Sequence, residues 1–356
     1  MRILAAHLYN DFSGSPKVLR QLVKGWISAK IPCTVYTGSK RDGFLSNING
    51  AEYSYFGYKW SSNFIMRFVY FLRSQLNLFA QIWRSAHTND IIYINTILPF
   101  GAALAGKLRG CRVIYHIHET SVRPRILRSL LFKVVEQVAS DSIFVSKYLA
   151  GEVHLKGPKT KVLYNTLSKD YLDAVLNMVV PKTSLRNVLM VCSLKSYKGV
   201  REFIQLSEQL PYLEFRLVLN AKEEEINSFF DMKLPDNLRI YPTQTDVHPF
   251  YVWSDIVLNL SHPDRWVETF GLTILEGMVY GNPAIVPNVG GITELVTDGK
   301  DGYQIPVHRL NLISNTLHDL FHNPTEYKRL SLEAFKKGWS FADDGFVRKN
   351  IKILTT

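Results

Sequence analysis

The chain has 356 residues, 46% of them hydrophobic, and a formal net charge of +11, which is enough to bury two cores of ordinary size and long for a single domain. Residues 1–180 hold 23 Lys and Arg against 10 Asp and Glu, and residues 181–356 hold 19 against 21, so the halves stand at +13 and −2 and suit different partners. Cys33, Cys111 and Cys192 lie far apart with no Cys-x-x-Cys pair, which argues against a disulfide framework or a zinc site and predicts a cytoplasmic, reducing setting.

The opening run Met1–His7 is too brief for a signal sequence and predicts a buried strand over 2–6. In the turn that follows, Gly14 is free to take positive φ, Ser15 is small, and Pro16 suits the first turn of a helix over 16–29. Such a turn either presents amides to a phosphate or sugar, or is a tight turn and nothing more. Strands then fall at 33–37, 52–56, 90–95, 112–117, 141–145 and 161–164, with helices within 62–86 and over 99–108, 124–138 and 147–155. This alternation predicts a parallel, doubly wound sheet with ligands beyond the carboxyl ends of its strands. His118 and Glu119 stand at such an end, where the competing reading is a structural histidine.

Arg123, Arg125, Arg128 and Lys133 among the apolar residues of 124–138, and Lys59, Arg67, Arg73 and Arg84 around 64–83, predict a basic, apolar surface suited to anionic lipid. The alternative is a pair of helices facing their own core with solvated charges. The run Phe64–Trp83 is interrupted well short of the roughly 20 apolar residues of a membrane span, and no nucleic-acid-binding pattern occurs.

Val179–Ser184 reads as a linker, after which the alternation restarts: strand 187–192, helix 199–210, strand 214–219, helix 222–231, strand 237–241, helix 246–253, strand 255–260. Two doubly wound domains facing each other would place a cleft between them. The first strand of this half leads to Ser193, Lys195 and Lys198, two lysines able to neutralise phosphate as flexible point charges. Strand 255–260 leads to Glu268-Thr-Phe270-Gly271-Leu272-Thr273-Ile-Leu-Glu276, two carboxylates on either side of a glycine turn that opens a helix. The amides from Phe270 to Thr273 and the helix dipole favour an anion such as a diphosphate, and the carboxylates suit vicinal hydroxyls. A helix cap plus a solvated Glu is the competing reading. Strand 282–287 then ends in Gly290-Gly291, expected to open another helix, and helices near 308–322 and 325–338 precede an amphipathic tail.

Glu268 and Glu276 separated by seven residues, Gly281-Asn-Pro283, Gly290-Gly291-Ile-Thr-Glu294 and Asp298-Gly299 before Gly302 fall in one order, and with them the chain resembles retaining glycosyltransferases of the GT-B fold, the paired-Glu group known as glycosyl transferases group 1 or family 4. The resemblance spans nearly the whole chain. It implies an α/β fold of two Rossmann-like domains facing across a cleft: an acceptor domain over 1–175, joined by the returning C-terminal helix of 341–356, and a nucleotide-sugar donor domain over 183–338. It implies that Glu268 contacts the donor sugar, Glu276 the ribose, and the amides at Gly271 and Leu272 the sugar or diphosphate. Lys198 matches the phosphate-binding lysine, Gly14 and Ser15 the small turn near donor and acceptor, and His118 the histidine beside the donor sugar. Residues 241–246, with Thr243, match the base-binding loop, whose backbone contacts do not reveal whether the base is that of a UDP-, GDP- or ADP-sugar.

Two departures stand out. The family's arginine five residues before the lysine is Ser193 here, and Lys195 is expected to replace its charge. Ser13-Gly14-Ser15-Pro16 replaces a double glycine. No Asp-x-Asp pair occurs, so no metal is expected, in keeping with the family. The implied reaction is metal-independent hexosyl transfer to a saccharide or lipid-linked saccharide acceptor, as in capsule or other surface polysaccharide, with a peripheral contact to anionic membrane through the basic first domain. A nucleotide-sugar epimerase and a non-catalytic nucleotide-sugar or membrane-binding protein are the alternatives.

Overall fold

The computed structural model describes residues 1–119, 121–178, 185–230, 233–342 and 345–356. The linker expected at 179–184 lies outside them. Two compact units divide the chain, one of Met1–Tyr164 with Asp344–Thr356 and one of Asn165–Asp343.

The first unit carries β1 (Ile3–His7), α1 (Gly14–Ser28), β2 (Cys33–Thr37), β3 (Glu52–Tyr55), α2 (Phe64–Ser85), β4 (Ile91–Asn95), α3 (Phe100–Leu108), β5 (Arg112–Ile117), α4 (Arg125–Val138), β6 (Asp141–Phe144), α5 (Lys147–Glu152) and β7 (Lys159–Val162). Its seven strands lie in the order β3-β2-β1-β4-β5-β6-β7, with every pair parallel. β1, β2, β4 and β6 are buried at every position, as strands covered on both faces must be, and their Val, Ile and Leu content follows from that.

The second unit begins with α6 (Lys169–Met178), which the expected boundary at 175 divided between domains, and continues with β8 (Asn187–Ser193), α7 (Val200–Gln209), β9 (Glu214–Asn220), α8 (Glu223–Phe229), β10 (Leu238–Tyr241), α9 (His248–Trp253), β11 (Ile256–Leu258), α10 (Leu272–Met278), β12 (Ala284–Val286), β13 (Gly302–Gln304), α11 (Leu310–His322) and α12 (Pro324–Ser340). Six parallel strands take the order β10-β9-β8-β11-β12-β13, the same winding as the first unit's leading six. The segment after Gly290 differs from expectation. It is one 3-10 turn, Gly291–Glu294, and not an α-helix; the chain then turns into β13, with Thr297 N donating to Asp301 Oδ1 at 2.7 Å and Gly299 N to the Gly302 carbonyl at 2.8 Å.

The last helix, α13 (Phe346–Thr355), belongs to the first unit. It packs on α1 where Gly25 leaves room for Val347, since a Cβ at Gly25 would lie 2.3 Å from a Val347 methyl. Trp26 Nε1 donates to Asn350 Oδ1 (2.9 Å), and Asn350 Nδ2 donates to the Tyr93 hydroxyl (3.0 Å), all buried. Arg112 donates to the carbonyls of Leu354 and Ile353 at 2.9 Å each, a cation placed on the negative end of the helix.

Candidate functional site

In a doubly wound sheet the crevice opens where the strand order reverses. That point lies between β8 and β11 in the second unit and between β1 and β4 in the first. Most of the expected site residues collect at these two places; Thr243, after the edge strand β10, does not.

Beyond β8 the chain makes a 3-10 turn, Ser196–Lys198, and reaches Gly199 at φ +74°. A Cβ there would stand 2.2 Å from the Leu260 carbonyl oxygen, so only glycine lets this turn lie against the chain leaving β11. His262 N also donates to the Tyr197 carbonyl at 2.8 Å. The two loops are thereby fixed side by side, and Lys198 Nζ donates to Glu268 Oε1. Ser261 Oγ donates to the same oxygen at 2.8 Å. Trp266 floors the pair, its ring centroid 5.1 Å from Lys198 Nζ, and Tyr197 stacks on Trp266 at 5.6 Å. Burial alone would raise the Glu268 pKa, but the Lys198 charge and the hydrogen bonds from Lys198, Ser261 and Asn259 outweigh it and hold the carboxyl below its ordinary range. Glu268 is therefore ionised at neutral pH.

Gly290 closes the other side: its Cβ would meet the Glu268 carbonyl oxygen at 2.4 Å. Gly271, at φ +97°, caps α10, whose first intrahelical bonds run from Ile274 N and Leu275 N to the Gly271 carbonyl. The amides of Leu272 and Thr273 thus precede the first intrahelical donors. The Phe270 side chain is core, edge-on to Phe341 at 5.9 Å, and so offers nothing to a ligand. One turn on, Glu276 is buried, with the Tyr251 hydroxyl 2.8 Å from its Oε2 and also 3.0 Å from the Thr273 carbonyl. Burial and the nearby Glu276 push the Tyr251 pKa well up, so this hydroxyl stays a donor.

Ser193 ends β8, and Lys195 just beyond it is exposed and makes no ion pair among the described residues. Thr243 stands apart from the pair, its hydroxyl turned onto the Ala221 carbonyl at 3.1 Å.

In the first unit, Gly14 does not take positive φ. It is the first residue of α1, and the turn before it is held by Ser13, whose N–H and hydroxyl both donate to Asp11 Oδ1. Asn95, at the end of β4, gathers the rest: its Nδ2 donates to the Ser15 carbonyl at 3.1 Å, so its Oδ1 faces His118 Nε2 at 3.0 Å. Because that oxygen only accepts, Nε2 carries the His118 proton. Burial, then the neighbouring His116 and His7, depress the His118 pKa well below the ordinary value, so the ring is neutral at physiological pH. Glu119 Oε1 accepts from Ile97 N at 3.2 Å, while buried Oε2 has no partner among the described residues. Burial, against hydrogen bonds from Ile97, His118 and Thr96, raises Glu119 to about 7.

Sequence reasoning missed Asn95, Thr96 and Ser261. Thr96 takes φ +73°, a left-handed backbone that a β-branched residue rarely adopts, immediately after β4. The available signal was position: Asn95 and Thr96 end a strand at the reversal of strand order, and Ser261 follows one.

Outside the crevices, α2 buries Phe71, Leu78 and Ile82 and leaves Phe64, Ile65, Phe68, Val69, Leu72 and Leu76 exposed, Ile65 at 70% and Leu76 at 71%. On α4, Ile126 and Leu130 are exposed as well. Among the described residues no helix is long and apolar enough to cross a membrane, and no group of three or more His, Cys, Asp or Glu could hold a metal ion.

Two family models fit successive parts of the chain: Glycosyltransferase Family 4 over residues 12–170 and Glycosyl transferases group 1 over residues 180–337. An uncharacterized 41.2 kDa protein in the cps region of Klebsiella pneumoniae is 23% identical over 205 residues, 54% of this chain and 55% of that protein. N-acetyl-alpha-D-glucosaminyl L-malate synthase of Bacillus anthracis is 36% identical over 236 residues, 60% of each. The matches thus span little more than half the length of these relatives. Among solved structures, Anabaena HepE in complex with UDP and glucose aligns over the whole of both chains with a TM-score of 0.80 at 18% identity, a likeness of fold.

Proposed function

We propose, since the chain belongs to the glycosyl transferases group 1 and has the GT-B fold, that it moves a hexose from a nucleoside-diphosphate sugar to an acceptor hydroxyl with retention of anomeric configuration. The observation that carries this reading is the Lys198–Glu268 pair at the β8/β11 reversal, a cation and an ionised carboxylate held together beside the Gly271 amides. The leaving diphosphate develops negative charge, and Lys198, Lys195 and the amides of Leu272 and Thr273 are the groups that would meet it. Glu268 offers a fixed negative charge to the donor sugar, whose anomeric carbon turns oxocarbenium-like, and the Glu276 carboxylate accepts from ribose hydroxyls. Paired with Glu268 before the donor binds, Lys198 would turn its ammonium to the diphosphate once the donor is seated. In the first unit, neutral His118 and the Ser15 turn serve the donor sugar and acceptor, and the donor phosphate itself takes the acceptor proton.

UDP is the nucleotide to try first, because it is the one bound in the HepE complex. The acceptor we infer is a saccharide, or a lipid-linked saccharide of a surface polysaccharide, in line with the cps-region relative. Peripheral contact with anionic membrane through α2 and α4 would bring such an acceptor to the enzyme.

The test is a panel of UDP-, GDP- and ADP-sugars with and without saccharide acceptors, read as nucleoside diphosphate released and as anomeric configuration of the product by NMR. Acceptor-dependent release with a retained anomer is the expected result. Sugar isomerised on the intact donor without acceptor would establish an epimerase, and binding without any turnover would establish a non-catalytic protein.

A further inference from the structure

The donor residues gather beyond the carboxyl ends of the second unit's strands, yet a second concentration of charge lies toward the amino ends. A cleft of about 280 Å³ is lined there by Arg186, Arg216, Arg239 and Trp253, with Glu214 the one acid among its described lining residues. Arg186 immediately precedes β8, Arg216 lies on β9 and Arg239 on β10, three neighbouring strands. Arg216 and Arg239 are register partners in the parallel β9–β10 pair and so share a face of the sheet. Like charges held side by side cost stability unless something neutralises them. None of the three arginines makes an ion pair among the described residues.

The cleft is also built. The Arg216 guanidinium sits 3.9 Å from the Trp253 ring centroid and 5.9 Å from that of Tyr241, which fixes its plane. Trp253 is fixed in turn, its carbonyl accepting from Asn187 Nδ2 at 2.8 Å. The nearby Asp255 is already engaged, its Oδ2 accepting from the amides of Arg186 and Asn187 at 2.9 Å each. An ion arriving in the cleft therefore meets three guanidinium groups and one carboxylate, a surplus that a dianion balances.

We propose that this cleft binds the phosphate group of a small phosphate monoester, at a site separate from the donor crevice. Guanidinium forks pair with phosphate oxygens bidentately, which lysines would not do, and a confined cleft suits a small soluble ester. The proposal stands on the second unit alone and does not depend on the transferase reading.

The experiment is a thermal-shift titration of the full chain with inorganic phosphate against chloride at matched ionic strength, repeated with glycerol phosphate. Wild type is expected to show a saturable rise in Tm. Arg186→Gln combined with Arg239→Gln, two exposed positions whose change spares the fold, should weaken the apparent affinity by about tenfold or more, and should do so equally in a Lys198→Ala background, where the donor crevice lacks its phosphate-binding cation. A response that follows Lys198 and not the arginines would overturn the proposal by assigning phosphate to the donor crevice. No saturable response in wild type would overturn it as well. Competition by phosphatidic acid vesicles would identify the phosphate as a lipid headgroup's, and the lack of competition as a soluble ester's.

Discussion

Lys198 owes its position to the residue after it. Gly199 at φ +74° lets the β8 turn meet the Leu260 carbonyl, and an alanine there would carry both a strained backbone and a clash at 2.2 Å. Gly199→Ala should therefore lower Tm and donor affinity together. Lys198→Ala keeps that backbone and removes only the cation, so turnover should fall at least about tenfold, which is about 1.4 kcal/mol of transition-state stabilisation. Unchanged kinetics in Lys198→Ala would remove this residue from the site. Glu268 makes a matching statement about pH. Its folded pKa is depressed, so its contribution to stability is complete above the usual 4.5 and is lost as pH falls through the lowered value.

Glu119 runs the other way. Its pKa rises from 4.5 to about 7 on folding, so the folded protein is favoured below 4.5 and this advantage is lost as pH climbs through about 7. Glu119→Gln keeps an oxygen for the Ile97 amide and cannot ionise. Between about pH 5 and pH 8 the wild type should lose on the order of 1–2 kcal/mol more stability than the variant, after allowance for partial solvent access. Parallel Tm-against-pH curves for the two proteins would show that Glu119 is not the titrating group.

At the scale of elements, α13 is tied to the first unit by one buried amide. Asn350→Leu leaves the Trp26 N–H without its partner and takes a donor from the Tyr93 hydroxyl, at a cost of about 2–4 kcal/mol for two buried polar groups. Truncation after Ser340 should lower Tm further, because it also exposes the α1 face at Gly25; a truncated protein melting like the full chain would refute the packing described. Much of this level was legible from sequence. Apolar runs bounded by glycine and polar residues marked both sheets, and the Glu268–Glu276 stretch marked the strand-order reversal where the Lys198–Glu268 pair forms. Where the reading failed, the cause was non-local. Gly14 looked like a turn residue, but Asp11 and Ser13 make the turn and the helix starts on Gly14 itself. The Gly290-Gly291 pair predicts a helix, but the turn that carries the chain into β13, held by Thr297 N on Asp301 Oδ1 and Gly299 N on the Gly302 carbonyl, leaves only a 3-10 turn. Asn95 carries no motif at all, and its place between Ser15 and His118 exists only once β1, β4 and β5 are adjacent.

At the scale of the molecule, the charge asymmetry of +13 against −2 acquires an address on α2. A helix that leaves Phe64, Ile65, Phe68, Leu72 and Leu76 in water gives up roughly 1.5–3 kcal/mol for each large side chain it could have buried, unless something covers that face. No acidic residue occurs from Tyr53 to Asn89, while Lys59, Arg67, Arg73 and Arg84 do, and none occurs from Thr120 to Val135, where Arg123, Arg125, Arg128 and Lys133 do. An apolar face accompanied only by cations repels a basic partner and suits an anionic lipid surface, with about 1 kcal/mol from each basic residue near the headgroups. The full chain should therefore sediment with vesicles rich in anionic lipid, and not with neutral ones, and should be released by salt as the charges are screened. Ile65→Asp with Phe68→Asp, both at exposed positions where stability depends little on the side chain, should abolish sedimentation while leaving transfer to a soluble saccharide acceptor unchanged. Equal binding of wild type and variant, or no binding to anionic vesicles at low salt, would show that the exposed face of α2 meets something other than a membrane.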